Sequence, residues 1–453
     1  MIDTSRIEEI EQWLIAEDII HVEIMVSDCM GVGRGKMMPV KRFIAGMKTN
    51  DLKLSESIFG VTANGEFCFN DHMDYAEADM ILVPQLETLC RAPWIKTPTA
   101  SVICRAEYEG GSLVPFSPRQ VLQGVLDLYD AKGWKPIVAP EFEFFLIERE
   151  KEMTGDYKPA VGKSGMPSVG NDIYSVDGLH EFDDFFDEVY ASCKAQNIEI
   201  DTLIYEAGPA QFEVNVNHGD AMELADQSFY LKRVLHQVAL KHGFYATFLA
   251  KPYQDSYGSA MHIHQSVVDS KSGKNIFANA DGSDNELLLN YIAGLQEYIP
   301  ALMPLLAPYV NSYRRFGTHL SSPTNLEWGQ ENRSVGLRVP SGAPEGRRVE
   351  NRIAGSDANP YLAIAATLAA GYLGMAEKLQ PSKPVEGSAY DSVTRIIPTT
   401  LQAGLKNMEN CEALATVIDK RFLELFAQIK NEEQRSYDNF SGPWKTKYLL
   451  LTV

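Results

Sequence analysis

Several features are scarce in this sequence of 453 residues, and each scarcity excludes a class of protein. The six cysteines are scattered without a C-x-x-C pair, so neither a disulfide framework nor a zinc knuckle is expected, and a reducing cytoplasm fits them best. Positive charge is also scarce, since 41 basic residues against 61 acidic ones give a net charge of −20. Nucleic-acid binding is therefore not expected. An acidic surface instead favours solubility, or attracts cations such as metal ions and protonated amines.

Long apolar runs and targeting signals are equally scarce. The N-terminal segment is acidic and amphipathic, which is not the pattern of a signal peptide. The one uncharged run of near membrane-spanning length, Pro360 to Ala376, is rich in alanine and includes Tyr361 and Tyr372. It predicts a buried helix with Asn359 as its N-cap and Pro360 as its first residue. We therefore expect a cytoplasmic protein without a membrane partner.

The order of the local patterns predicts two domains. Residues 1–107 indicate a small mixed domain, and Gly110-Gly111 with Ser117-Pro118 marks a boundary before a second domain over residues 112–453. Strands there alternate with long helices, so the fold class is α+β with a curved, largely antiparallel sheet. The predicted strands are Ile137–Glu148, Thr202–Glu206, Gln211–Asn215, Ala246–Lys251, Ser259–Val268, Ser334–Val339 and Arg348–Ile353. The predicted helices are Asp220–His242, Glu286–Ala307, Pro360–Leu379 and Cys411–Lys430.

Acidic side chains alternate with aromatic ones between Ala139 and Leu146. In a strand, Glu141 and Glu143 share one face and the phenylalanines share the other. Two carboxylates side by side repel each other unless a cation lies between them. This face therefore predicts a metal site, and the alternative is a strand with a solvated acidic face.

A second acidic pair and a histidine pair follow. The turn signal Gly208-Pro209 folds Glu206 back toward Glu213. Further along, His262, His264 and Ser266 share one face of a predicted strand. Neutral imidazole is a good metal ligand, although such histidines can also be core residues.

A carboxylate also stands between two arginines, since Arg348, Glu350 and Arg352 project to one side of a predicted strand. Guanidinium groups pair with phosphates and carboxylates, and Arg333 and Arg338 lie just upstream. The alternative is a surface ladder of salt bridges. Carboxylate-rich ligation favours magnesium or manganese over zinc, and metal carboxylates beside arginines suit phosphoryl transfer from ATP. The glycine-rich run at residues 31–36 lacks the spacing of a phosphate loop, so ATP must bind in another way.

Taken together and in order, these motifs resemble the glutamine synthetase superfamily over nearly the whole chain. The resemblance implies a small N-terminal β-grasp-like domain, a large catalytic domain, and a homo-oligomer of two hexameric rings with active sites between neighbouring subunits. It also implies a reaction in two steps. ATP phosphorylates the side chain of L-glutamate, and an amine then attacks the acyl phosphate and releases phosphate.

The resemblance assigns a role to each motif residue. One metal ion would be held by Glu143, Glu206 and Glu213, and a second by Glu141, His262 and Glu350. The glutamate substrate would be bound by Gly258, Arg315 and Arg352, and the nucleotide by His264, Ser266, Arg338 and Arg348. Catalytic roles in phosphoryl transfer would fall to Arg333, Arg338 and Asp79.

Three positions depart from the ammonia-using members of that superfamily. The segment Leu54–Ile58 lacks their ammonium-binding Asp, Ser321 replaces a flap Glu, and Tyr257 replaces an Asn. The pattern is more similar to the γ-glutamylpolyamine synthetases, which predicts putrescine or another polyamine as the acceptor. Glu56 in that segment is a candidate substitute base for the amine, and Trp328 either stacks on a cationic chain or packs in the core.

Four other functions stay open at this point. Two keep the same chemistry, namely glutamine synthetase using ammonia and a glutamate ligase for a short alkyl monoamine. A third is a non-catalytic ring with a structural or regulatory task. The fourth is a phosphagen kinase, which shares the catalytic fold, but the glutamate-binding Arg315 and Arg352 argue against it.

Overall fold

A computed structural model describes residues 3–73, 75–151, 157–168, 170, 172–316, 321–390 and 397–453. Within them the chain forms two sheets surrounded by helices, a mixed α+β architecture. The elements of the N-terminal part are α1 (Thr4–Ala16), β1 (His21–Ser27), β2 (Gly33–Pro39), α2 (Val40–Thr49), β3 (Lys53–Ser55), β4 (Asp79–Pro84), β5 (Cys90–Arg91) and β6 (Thr99–Glu107).

The first sheet has the order β2-β1-β6-β4-β3, and β5 pairs with the edge of β6. Only β1 and β6 run parallel among its described pairs. The glycine-rich run at residues 31–36 forms the start of β2, which begins at Gly33, so it is a turn into a strand and not a phosphate loop.

The second part is larger. Its elements are α3 (Pro118–Asp130), β7 (Trp134–Lys151), β8 (Tyr157–Pro159), α4 (Val176–His180), α5 (Asp183–Ala195), β9 (Ile200–Tyr205), β10 (Gln211–Val216), β11 (Gly219–Asp220), α6 (Ala221–Lys241), β12 (Phe244–Thr247), β13 (Met261–Asp269), α7 (Glu286–Leu306), β14 (Trp328–Gln330), β15 (Leu337–Val339), β16 (Val349–Asn351), α8 (Pro360–Glu377), α9 (Leu401–Glu409), α10 (Lys420–Asn439) and α11 (Trp444–Tyr448). The domain limits at 107 and 112 stay a prediction.

The large sheet is organised around the long strand β7. The strand order is β14-β15-β16-β13-β7-β10-β9, and β8, β11 and β12 also pair with β7. Every described pair is antiparallel except β14 with β15, which confirms the predicted curved and largely antiparallel sheet.

The two faces of β7 have opposite chemistry. Phe142 and Phe144 are fully buried, and their rings lie 6.4 Å and 5.9 Å from those of Phe248 and Phe212. Burial of these aromatic rings stabilises one face of the sheet, since each buries a large apolar area. The alternating side chains of β7 are thereby held on the other face, which lines a cavity.

The structure contains the predicted helices, but the limits of one of them differ from the prediction. The C-terminal prediction Cys411–Lys430 is wrong in its limits, because a short 3₁₀ turn covers Glu412–Thr416 and α10 begins only at Lys420. Asp419 caps α10 by accepting a hydrogen bond from the backbone N–H of Arg421 at 2.9 Å, so the helix starts there.

Strand limits are wrong in two places: the predicted Ser334–Val339 is a strand only from Leu337, because residues 334–336 form a turn and bend, and another prediction is wrong at its end. The predicted Ala246–Lys251 is a strand only to Thr247, because the chain then leaves the sheet and the Asn311 side chain holds the backbone N–H and carbonyl of Lys251, both at 2.9 Å. By contrast, Asn359 caps α8 as predicted, and no helix in the described ranges has the length and apolarity needed to cross a bilayer.

Candidate active site

The strand register brings acidic side chains directly opposite each other. Glu143 on β7 faces Glu213 on β10, and Glu141 faces His262 on β13 across the other edge of β7. Glu206 follows β9 and lines the same cavity. The turn after Glu206 reverses the chain, as its Gly-Pro signal predicts.

Glu141 lies at the centre of the histidine contacts. Its two carboxylate oxygens lie 3.2 Å from Nδ1 of His262 and 3.0 Å from Nε2 of His264. Burial favours the neutral acid, but these two hydrogen bonds hold the pKa of Glu141 well below its usual range. Burial also lowers the pKa of His262, which keeps the imidazole neutral, the form that binds metal.

Glu350 is almost fully buried between arginines. Its oxygens lie 2.7 Å from Arg338 and 2.5 Å from Arg352. Burial raises the pKa of Glu350, yet Arg352, His262 and His264 together outweigh burial and lower that pKa to about 2. The carboxylate is therefore ionised, and it holds both guanidinium groups at the wall of the cavity.

For three other carboxylates in this cavity, neighbouring positive charges do not offset the effect of burial on the pKa. Burial and the neighbouring Glu206 raise the pKa of Glu143 to about 8. The pKa of Glu206 is raised by burial, and that of Glu213 is raised by burial and by the charges of Glu141 and Glu143. Buried carboxylates that repel each other are stabilised by a cation. The residues present thus fit divalent metal ions with oxygen-rich ligation.

The described side chains form two groups that place three ligand atoms within 4.8 Å of one another. One group is Glu141, His264 and Glu350, and the other is Glu141, Glu213 and His262. Both groups share Glu141, so neither group coincides with one of the two predicted ligand sets. The assignment of each residue to one ion stays a prediction.

Arg315 is fixed behind these carboxylates. Its guanidinium donates hydrogen bonds to the backbone carbonyls of Ile353 at 2.8 Å and Arg352 at 2.7 Å. Burial lowers the pKa of Arg315 to about 10. Gly258 packs against this side chain, since a Cβ there would lie 2.8 Å from Cγ of Arg315.

The predicted site residues line two adjoining cavities. The first has a volume of about 800 Å³, and its walls include all six predicted metal ligands together with Gly258, Arg315, Arg333, Arg338 and Arg352. The second has a volume of about 640 Å³, and its walls include His264, Ser266 and Arg348. Arg348 donates from Nε to Nδ1 of His264 at 3.1 Å. Glu141 and Asn215 border both cavities, so the two spaces meet at these side chains.

The N-terminal residues lie apart from these cavities within one chain. Asp79 is exposed at the start of β4, and Glu56 is buried beside Tyr108. Trp328 is 5% exposed and donates its indole N–H to the carbonyl of Ser382, so it is the packing aromatic of the two alternatives. The suggestion that it stacks on a cationic substrate is therefore wrong.

Two positions that differ from the ammonia-using members, and several residues that were not predicted, line the first cavity. Tyr257 and Ser321 do so, and Ser321 has a left-handed backbone with φ of 61°. Tyr174 lines it as well, and Ile173 and Ile204 form further wall that no motif pointed to. Tyr390, far along the sequence, also reaches this wall, and only the fold brings it there.

Comparisons with known proteins agree with this geometry. The family model described as the catalytic domain of glutamine synthetase matches residues 115–449. The chain is 32% identical to gamma-glutamylputrescine synthetase PuuA of Escherichia coli over 95% of this chain and 91% of that protein. It is 30% identical to a glutamate–isopropylamine ligase of a Pseudomonas species over 98% of both chains. A solved GmaS–ADP complex superimposes with a TM-score of 0.83 at 26% identity, covering 96% of this chain and 98% of that one.

Proposed function

The chain belongs to the glutamine synthetase family, whose activity is ATP-dependent ligation of glutamate to an amine, and we propose that its acceptor is an alkyl amine, with putrescine or another polyamine as the first candidate. One observation carries the ligase chemistry on which this proposal rests. Five carboxylates, a histidine and four arginines line a single cavity of about 800 Å³. That set of charges suits a phosphoryl transfer between two anions.

Divalent ions, magnesium or manganese, belong in the carboxylate cage. We assign one ion to Glu143, Glu206 and Glu213 and another to Glu141, His262 and Glu350, as the family resemblance implies. When bound, such ions draw charge away from the phosphates of ATP. The raised pKa values of Glu143, Glu206 and Glu213 support this assignment, because a cation removes their mutual repulsion.

The glutamate substrate binds at Gly258, Arg315 and Arg352 in this proposal. The two guanidinium groups are nearly buried, and a buried guanidinium pairs strongly with a carboxylate. Orientation of the substrate follows from their fixed positions, since Arg315 is held by two backbone carbonyls and Arg352 by Glu350.

ATP binds in the second cavity and reaches the first. We assign the binding of this nucleotide to His264, Ser266, Arg338 and Arg348. In the first step an oxygen of the glutamate side chain attacks the terminal phosphorus, and ADP departs. Arg333, at the mouth of the first cavity, stabilises the charge that develops on the transferring group.

The amine then attacks the acyl phosphate. Its nitrogen forms a bond to the side-chain carbonyl carbon, the bond to phosphate breaks, and the amine loses a proton. An alkyl ammonium resembles the lysine side chain, with a pKa of about 10.4, so forming the neutral amine at pH 7 costs about 4–5 kcal/mol. Ser321 cannot accept that proton, in contrast to the flap Glu of ammonia-using members.

The acceptor can be tested directly. Phosphate release is measured with ATP, magnesium and L-glutamate, using ammonia, methylamine, isopropylamine and putrescine at pH 7 and pH 9. We expect kcat/KM to be greatest for an alkyl amine or diamine and to rise with pH, because the neutral fraction rises about tenfold per unit below the amine pKa. If ammonia is the best acceptor at both pH values, the protein is a glutamine synthetase. If aspartate replaces glutamate with equal efficiency, the donor assignment is wrong.

The metal assignment has its own test. Glu143→Ala and Glu350→Ala should each abolish turnover while circular dichroism stays unchanged. The matched control is Glu109→Ala, which removes an exposed carboxylate remote from both cavities and should leave turnover intact. Full activity in either cage variant contradicts the assignment.

The proposed role of Asp79 depends on the oligomeric assembly. We propose a dodecamer of two hexameric rings, in which Asp79 supports Arg333 across a subunit boundary, since Asp79 is exposed within its own chain. Light scattering of the purified protein measures the assembly. A fully active monomer refutes the proposed role of Asp79.

A further inference from the structure

Asp357 is a fully buried carboxylate on the segment between β16 and α8, and it takes no part in the proposed reaction. It lies outside the walls of the two cavities described above. One of its oxygens accepts a hydrogen bond from the hydroxyl of Ser312 at 2.7 Å, and Ser312 is buried as well. A buried charge is costly unless it is paired, so the contacts of Asp357 identify what this carboxylate holds in place.

The hydrogen bond to Asp357 anchors the turn that carries Arg315. Ser312 and Arg315 both belong to the 3₁₀ turn Ser312–Phe316. The Ser312 oxygen also accepts a hydrogen bond from the backbone N–H of Tyr309 at 3.0 Å. The first residue of the turn is therefore held by two buried hydrogen bonds, and Arg315 extends from the same turn into the wall of the first cavity.

The guanidinium end of Arg315 contacts the segment that leads to Asp357. It donates to the backbone carbonyls of Arg352 at 2.7 Å and Ile353 at 2.8 Å, and residues 352–357 connect these carbonyls to Asp357. The contacts thus close a ring that runs from Asp357 through Ser312 to Arg315 and back along the chain. Groups that bind a substrate keep their geometry when a second set of buried contacts fixes them.

Lys232 fixes the same segment from α6. Its ammonium group donates to the backbone carbonyl of Ser356 at 3.0 Å, and the residue is buried. Burial raises the pKa of Asp357, whereas the Ser312 hydrogen bond and the Lys232 charge lower it. The positive charges of Lys232 and Arg315 thus compensate the buried carboxylate.

We propose that Asp357 is a positioning residue for glutamate binding, because its hydrogen bond to Ser312 fixes the turn that sets the guanidinium group of Arg315 beside Arg352. Both guanidinium groups lie in the wall of the first cavity, and a guanidinium pairs best with a carboxylate in one planar orientation. A shift of the turn leaves Arg315 charged but misaligned. This inference rests on the proposed function, since it requires that Arg315 and Arg352 bind the glutamate substrate.

The test variant is Ser312→Ala, which deletes one oxygen atom and leaves Asp357 without its hydroxyl donor. Binding of L-glutamate to the full-length protein is measured by calorimetry in the presence of magnesium. We expect the Kd for L-glutamate to rise by roughly tenfold, because a buried hydrogen bond to a charged group is lost. The Kd for ADP, measured in the same way, should stay unchanged, because His264, Ser266 and Arg348 line the other cavity. A general loosening of the fold would weaken the binding of both ligands.

A matched control and a second variant isolate the contact. Tyr129→Phe also removes a buried hydroxyl, whose hydrogen bond of 2.8 Å reaches the carbonyl of Leu368 outside both cavities, and it should leave both Kd values unchanged. Asp357→Asn keeps the size of the side chain but removes the charge that strengthens the bond from Ser312, so it should also raise the Kd for L-glutamate. Combining Ser312→Ala with Asp357→Asn should weaken glutamate binding no further than the more severe single change, because both changes act on one contact.

Unchanged glutamate affinity in Ser312→Ala and Asp357→Asn overturns the proposal, as does an equal loss of ADP affinity or a double variant whose effect is the product of the two single effects. Arg315→Gln separates this failure from that of the proposed function. If Arg315→Gln weakens glutamate binding and Ser312→Ala does not, only the positioning role is wrong. If Arg315→Gln leaves glutamate binding unchanged, the glutamate assignment fails and the positioning role fails with it.

Discussion

Replacing Glu143 with glutamine should stabilise the metal-free protein at alkaline pH, although it removes a metal ligand. Burial and the neighbouring Glu206 raise the pKa of Glu143 from 4.5 to about 8. The folded protein therefore retains a proton that the unfolded chain releases within this interval. The free energy of unfolding accordingly falls as the pH rises from 4.5 to 8, and the loss is complete above pH 8.

The size of this loss in unfolding free energy follows from the difference between the pKa values of Glu143 in the unfolded and folded states. A difference of about 3.5 pH units at about 1.4 kcal/mol per unit gives about 5 kcal/mol. The glutamine side chain of the variant carries no charge at any pH, and its oxygen can still accept from the backbone N–H of Ala260, which lies 2.9 Å from Glu143 in the wild type. For 453 residues, at about 2.1 cal/mol/K per residue, 5 kcal/mol corresponds to about 5 °C in the unfolding midpoint.

The assay is thermal unfolding in EDTA at pH 5.5 and pH 8.5. The midpoint of Glu143→Gln should exceed that of the wild type at pH 8.5, and the difference should shrink at pH 5.5. Magnesium or manganese should narrow the difference at pH 8.5 by about 2.7 kcal/mol at one hundred times the Kd, because the wild type alone keeps the full ligand set.

The control variant is Glu109→Gln, at an exposed position, and it should leave the midpoint unchanged at both pH values. Identical midpoints of wild type and Glu143→Gln at pH 8.5 in EDTA would refute the reasoning. A gain of equal size at both pH values would refute it as well, since repulsion between ionised carboxylates requires the higher pH.

Two further changes test the packing around the site. Gly258→Ala places a Cβ 2.7 Å from the carbonyl of Ala250 and 2.8 Å from Cγ of Arg315, so we expect KM for glutamate to rise by about tenfold, measured by phosphate release. Asn359→Ala removes the cap of α8 and hydrogen bonds of 3.0 Å and 2.7 Å to Ser27 and Asp28, so urea unfolding should show a loss of about 2–3 kcal/mol.

The sequence predicted the strands that carry the cage because their signal is local. Alternation of charge and apolar residues identifies β7 and β13; β7 extends beyond the predicted limits at both ends, whereas β13 begins two residues later and ends one residue later than predicted. The end of β12 was missed because it depends on Asn311, a residue remote in sequence whose side chain captures the departing backbone. The start of α10 was missed although Asp419 provides a cap signal before it.

The site shows the same division between local and remote information. Motifs identified the carboxylates, histidines and arginines, and the fold places all of the predicted metal ligands around one cavity. Tyr390 has no sequence signal, since its neighbours come from separate parts of the chain. The sequence also could not predict that Trp328 is buried, because an aromatic residue in a short strand is compatible with a core or a surface position.

The register that opposes Glu143 to Glu213 and Glu141 to His262 also has a kinetic consequence. The cage joins β7, β10, β13 and β16, so its members are separated by up to about two hundred residues of chain. Such high contact order delays these contacts, because long loops must close before the strands can pair. We therefore expect the cage to form late in folding, after most of the chain has been synthesised. Divalent ions then act mainly by slowing unfolding, since an interaction that is absent from the transition state leaves the folding rate unchanged.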